Sequence, residues 1–125
     1  MNAYRLVTGP DNASHVSKGK LALDRSAAAV AAHFKESPPG SSFDWHDAPE
    51  RQYVITLSGT LEFTTRDGET FVMRPGDVLI ADDTMGTGHK WRLIDEDPWR
   101  RCYVSWRRAL RTCSLPRADE GSGGL

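Results

Sequence analysis

The chain has 125 residues, 38% of them hydrophobic and 26% charged, with a mean hydropathy of −0.52, which suits one soluble domain and is too short for two. Sixteen Lys and Arg against 17 Asp and Glu leave a formal charge of −1, so no excess of positive charge is available for a nucleic-acid backbone. No apolar stretch approaches the roughly 20 residues that span a bilayer, and the N-terminal MNAYRLVTGPDNAS lacks the apolar middle of a secretion signal, so a cytoplasmic protein that binds neither nucleic acid nor membrane is expected.

In chain order, residues 1–27 carry scattered Gly, Pro and Asn and are expected to pack as a segment on or near the main domain, residues 28–113. Ala29 to Lys35 reads as a strand because it stops at the turn signal Ser37-Pro38-Pro39-Gly40; a helix over Asp24 to Ala32 is the weaker option. Gln52 to Leu57, QYVITL, is β-branched and aromatic and is expected to be central and buried on both sides. Leu61 and Phe63 then alternate with polar residues, Asp67-Gly68 predicts a two-residue hairpin turn with positive φ, and Phe71-Val72-Met73 returns. Pro75-Gly76 precedes a strand at Val78 to Ala81, and Trp91 to Ile94 and Arg101 to Trp106 complete an all-β pattern of sandwich or barrel type. Residues 114–125 have the composition of an unstructured tail. Cys102 and Cys113 form no disulfide framework and match no zinc spacing, so reduced thiols are expected.

Three groups could carry chemistry: Trp45-His46, Arg51-Gln52-Tyr53 and Gly86-Thr87-Gly88-His89. On one straight strand, His46 and Gln52 would lie roughly 20 Å apart. The turn signal Asp47-Ala48-Pro49 instead lets one strand end near His46 and the next begin at Gln52, bringing both to one end of a barrel. On that second strand Gln52, Val54 and Thr56 share the face taken as the pocket wall, while Tyr53, Ile55 and Leu57 share the other.

The stretches HDAPERQYVITLSG and MRPGDVLIADDTMGTGH resemble the two motifs of a small single-domain cupin, a jelly-roll β-barrel. The resemblance places His46 at the first histidine position of the first motif, Ala48 at the second, Gln52 at the glutamate and Gly59 at the final glycine. The second motif falls on Pro75, Gly76, Asp77 and His89, with a loop from Asp82 to Gly88 longer than the common form. Metal-binding cupins hold iron, manganese, nickel or zinc with histidines and a glutamate, so the resemblance implies a divalent transition metal on His46, Gln52 and His89, with one imidazole and one anionic ligand replaced. It also implies a small-molecule substrate or ligand at the barrel mouth and a homodimer formed through the sheets, here through the face bearing Tyr53, Ile55 and Leu57.

Without metal, His46 or His89 is expected to shuttle a proton, with Gln52 and Tyr53 orienting the substrate; a metal-dependent or acid–base lyase, isomerase or oxygenase follows, and the alternative is a non-catalytic ligand-binding or sensor module. His46, His89 and Tyr53 are thus the catalytic candidates, with Arg51 and Trp91 as further pocket candidates. Gly86-Thr87-Gly88 is read as a turn that lets backbone approach the pocket. Asp82-Asp83 is read as a solvated turn pair, with a ligand pair or general base as the alternative if the long loop folds inward, and the arginines Arg100, Arg101, Arg107, Arg108 and Arg111 as an anion-attracting patch or a charged strand edge. His33 is expected to face solvent, opposite Val30 and Phe34, and His15 to have no catalytic part.

Overall fold

The computed structural model describes residues 1–106, which form ten strands in two sheets and no helix. The strands are β1 (Asn2–Thr8), β2 (Ser14–Lys20), β3 (Ala31–Ser37), β4 (Ser42–His46), β5 (Gln52–Ser58), β6 (Leu61–Thr65), β7 (Thr70–Met73), β8 (Val78–Asp82), β9 (His89–Leu93) and β10 (Trp99–Ser105). Six of them form one sheet in the order β2-β1-β8-β5-β10-β3, and the other four a second sheet in the order β4-β9-β6-β7. The all-β jelly roll expected from the sequence is the fold observed.

Alternation along each strand decides what fills the space between the sheets. Val54, Leu79, Ala81, Trp99 and Tyr103 from the first sheet meet Leu61, Phe63, Phe71, Met73, Trp91 and Leu93 from the second, all buried. Phe63 stacks on Phe71 at 4.9 Å within the second sheet, and Trp91 of that sheet meets Trp99 of the first edge-on at 4.7 Å, so aromatic packing joins the two layers there.

Several expectations change. Within residues 1–27, β1 pairs in parallel with β8, Leu6 opposite Ala81, and β2 extends the sheet beyond it, so two strands not expected there join the first sheet. β5 is central but buried on one face only, because Tyr53 and Ile55 are half-buried and Leu57 is exposed. On β3 Phe34 is exposed rather than inward, while His33 is exposed as expected and stacks on Tyr103 at 4.7 Å. The β6–β7 turn has positive φ at Gly68 alone, with Gly68 N–H donating to Thr65 O and Thr65 N–H to Glu69 O; this is the longer hairpin loop that ends in a left-handed glycine. Asp24 takes φ +58 in an irregular connection where the helix option lay. The tail 114–125, Cys113, Arg107, Arg108 and Arg111 lie outside the described residues.

Candidate functional site

His46 ends β4 and His89 begins β9, and the antiparallel register sets them directly opposite each other. Their rings meet with centroids 4.5 Å apart. Each ring is oriented by a bond at Nδ1: that of His46 donates to the Asp44 carbonyl (2.7 Å) and that of His89 to Asp83 Oδ2 (2.6 Å). With Nδ1 carrying the proton, Nε2 is the atom left with a lone pair. Both Nε2 atoms are buried without a hydrogen-bond partner.

Asp83 is fully buried and also accepts from Ser14 Oγ at 2.5 Å, so β2, the β8–β9 loop and β9 are joined in one chain, Ser14 to Asp83 to His89. Asp82 behaves oppositely, turning outward to pair with Arg5 and Arg51. The reading of Asp82-Asp83 as a solvated pair is therefore corrected at Asp83. The alternation Leu79, Ala81, Asp83 was the available signal, since all three are buried.

The pKa of His46 is lowered from 6.5 to about 4, mainly by burial and then by repulsion from His89, with the Asp44 carbonyl opposing. A histidine neutral in the fold but free to protonate when unfolded contributes stability above pH 6.5 that is lost as pH falls from 6.5 towards 4. The gap corresponds to on the order of 3 kcal/mol. Urea unfolding of His46→Gln should show a flatter decline of stability across that window than the parent; equal slopes would contradict the burial of His46 as a neutral ring.

Gln52 is 2% exposed on the inner face of β5, and Ala48, fully buried, donates its N–H to the Asp83 carbonyl at 3.0 Å. Tyr53 is not brought to the histidines. It lies on the outer face of β5 against Trp106, centroids 4.7 Å apart, so the catalytic expectation for it is corrected by strand parity. Arg51 is likewise outside, paired with Asp82 and 5.4 Å over Trp106. Trp91 does face inward, and its Nε1 is buried without a partner. Trp45 sits beneath Arg66 (3.9 Å) and Lys90 (5.0 Å) instead. Gly86-Thr87-Gly88 is the close-approach turn expected: Thr87 N–H donates to Asn12 O at 2.9 Å, and Gly88 takes φ +77 against the His46 backbone.

The family model for the cupin domain matches residues 33–101. The chain belongs to the cupin family. Solved structures show the same fold: a DUF861 family protein of Thermotoga maritima (24% identity, TM-score 0.50, 59% of this chain and 77% of that one) and the Cnp3 cupin domain of Schizosaccharomyces pombe (19%, 0.52, 86% and 83%). A cupin domain of Bordetella pertussis is similar at 17% identity and TM-score 0.50 over 68% of this chain and 88% of its own. No curated protein matches.

The family's metal can be tested against the donors present. His46 Nε2 and His89 Nε2 are bare imidazole nitrogens, but Ala48 offers none and Gln52 offers a neutral carboxamide, a weaker oxygen donor than the carboxylate it replaces. Among the described residues one group of three His, Asp or Glu ligand atoms lies within 4.8 Å of one another: His15, Asp67 and Glu69, on the outer surface. There the His15 ring is already engaged by Asp11 (2.9 Å) and Asp67 (3.3 Å). The histidine pair does not complete such a group, and its donor set does not fit the iron, manganese, nickel or zinc site of the family.

Proposed function

We propose that this cupin is a small-molecule enzyme that moves a proton at the His46–His89 pair without a resident metal. The observation that carries the reading is the pair of buried, unpartnered Nε2 atoms on two rings whose centroids lie 4.5 Å apart, each with its tautomer fixed at Nδ1. His89 Nε2 is the base. Asp83 holds its Nδ1–H and stabilises the imidazolium formed when a substrate proton is taken, and Ser14 holds Asp83 in turn. His46, kept neutral by burial, accepts a hydrogen bond from the substrate through its own Nε2. Gln52 can donate and accept at once, which suits it to orient a polar group. Return of the proton to a second substrate atom gives an isomerisation, and loss of a leaving group gives an elimination. No step is routed through Tyr53 or a transition metal.

Turnover screening of small molecules tests this. A substrate converted by the parent should be turned over about 100-fold or more slowly by His89→Ala, within the usual contribution of a positioned base. His46→Ala should weaken substrate binding as well as rate. A ligand that binds tightly, is never converted, and is held equally by both variants would contradict the enzyme and establish the binding-module alternative, which Ala48 and Gln52 favour as replacements of reactive groups.

A further inference from the structure

The β10 arginines divide by strand parity. Arg100 points outward and pairs with Glu36 at 2.7 Å, whereas Arg101 shares the inward parity of Trp99 and Tyr103 and is 1% exposed. Because β10 lies between β5 and β3, Arg101 is no charged strand edge. Its guanidinium lies 3.8 Å over the Trp99 ring and donates to the Tyr103 hydroxyl (3.0 Å), the Ser37 hydroxyl (2.8 Å) and the Trp99 carbonyl (3.1 Å). Every one of these acceptors is neutral. Among the described residues no carboxylate forms an ion pair with it, although a buried charge ordinarily requires one.

Arg101 lines a cleft of about 320 Å³ between the edges of β3 and β4, together with Lys35, Trp91, Phe43 and three serines. Among the described residues no acidic side chain lines that cleft. Lys35 is close enough to Arg101 for repulsion to act with burial in lowering its pKa, so two cations share one space. Trp91, 5% exposed, contributes an indole N–H with no acceptor. The cleft adjoins the histidine pair: Phe43 meets the His46 ring at 4.2 Å, and Trp91 is two residues beyond His89 on the same face of β9, about 7 Å along the strand.

We infer that this cleft is the anion subsite of the barrel, holding the carboxylate of a small organic acid on Arg101, Lys35 and the Trp91 N–H while the reacting end reaches His46 and His89. The inference rests on reading the barrel as a small-molecule site and names the class of molecule it takes. A guanidinium stacked flat on Trp99 presents its donors at its edge, a geometry suited to a planar carboxylate.

The test follows the Trp91 indole N–H resonance during titration with malonate, with inorganic phosphate, and with chloride at matched ionic strength. Malonate should shift it saturably and chloride should not. Lys35→Gln should weaken malonate binding about tenfold, as expected for a lost charge-assisted contact, and Arg101→Met should abolish it, while Lys18→Gln on exposed β2 should leave it unchanged. If Arg101→Met fails to fold, Lys35→Gln and Ser37→Ala carry the comparison. Equal responses to malonate and chloride, or no weakening in Lys35→Gln, would overturn the subsite. A response to phosphate but not malonate would overturn the carboxylate assignment. His89→Ala should still bind malonate, so loss of turnover and loss of anion binding are separate results and each reading can fail alone.

Discussion

Gly88→Ala should unfold at markedly lower urea concentration than the parent, with a loss of about 3 kcal/mol or more. The cause is positional. An added Cβ at residue 88 would stand 2.0 Å from the His46 carbonyl oxygen, 2.2 Å from its carbon and 2.7 Å from Asp47 N, all of them backbone atoms that no side-chain rotation can clear. The residue also holds φ +77, where an L side chain costs about 1–2 kcal/mol before any contact is counted. Relief requires the end of β4 to move away from β9, which separates the His46 and His89 rings. The same variant should therefore lose activity beyond its loss of folded protein, measured under conditions where folding is complete. A change in stability below about 1 kcal/mol would mean that the two strands do not approach as described.

Asp83→Ala should be comparably damaging for a different reason. It removes the acceptor of two buried donors, Ser14 Oγ–H and His89 Nδ1–H, and each such orphan costs about 1–3 kcal/mol, for a combined loss of about 3–5 kcal/mol. Asp83→Asn keeps an acceptor oxygen and should cost roughly half as much. Its effect on rate should nevertheless be large, because a neutral amide stabilises an imidazolium less than a carboxylate does. Equilibrium unfolding of the two variants beside the parent measures the first difference. An Asp83→Ala protein as stable as the parent would show that the Ser14–Asp83–His89 chain does not hold the site.

The strands from β5 to β10 were legible because their residues alternate strongly and their turns carry Gly and Pro, and the two histidines were legible from their places in the cupin motifs. β1 and β2 were not, since NAYRLVT and SHVSKGK lack a sustained apolar alternation; β1 is held by pairing with β8, far along the chain. Arg101 was hidden by its neighbour: Arg100-Arg101 reads as exposed charge, and only the parity of Trp99, Arg101, Tyr103 and Ser105 reveals a buried cation. Asp83 was hidden in the same way behind Asp82. Tyr53 adjoins Gln52 in sequence but takes the opposite parity on β5, which carries it to the outer face against Trp106. The orphaned Nε2 atoms could not be read from sequence at all, as they depend on a cross-strand register and on a backbone carbonyl.

The most direct test is a nitrogen-15 spectrum of the four histidines at neutral pH, recorded before and after treatment with a chelator. His46 and His89, assigned by their Ala variants, should both show a protonated Nδ1 and a bare Nε2, with no change on chelation. An Nε2 signal displaced by bound metal and restored by the chelator, or a proton resident on Nε2 in either ring, would contradict a metal-free proton-transfer pair.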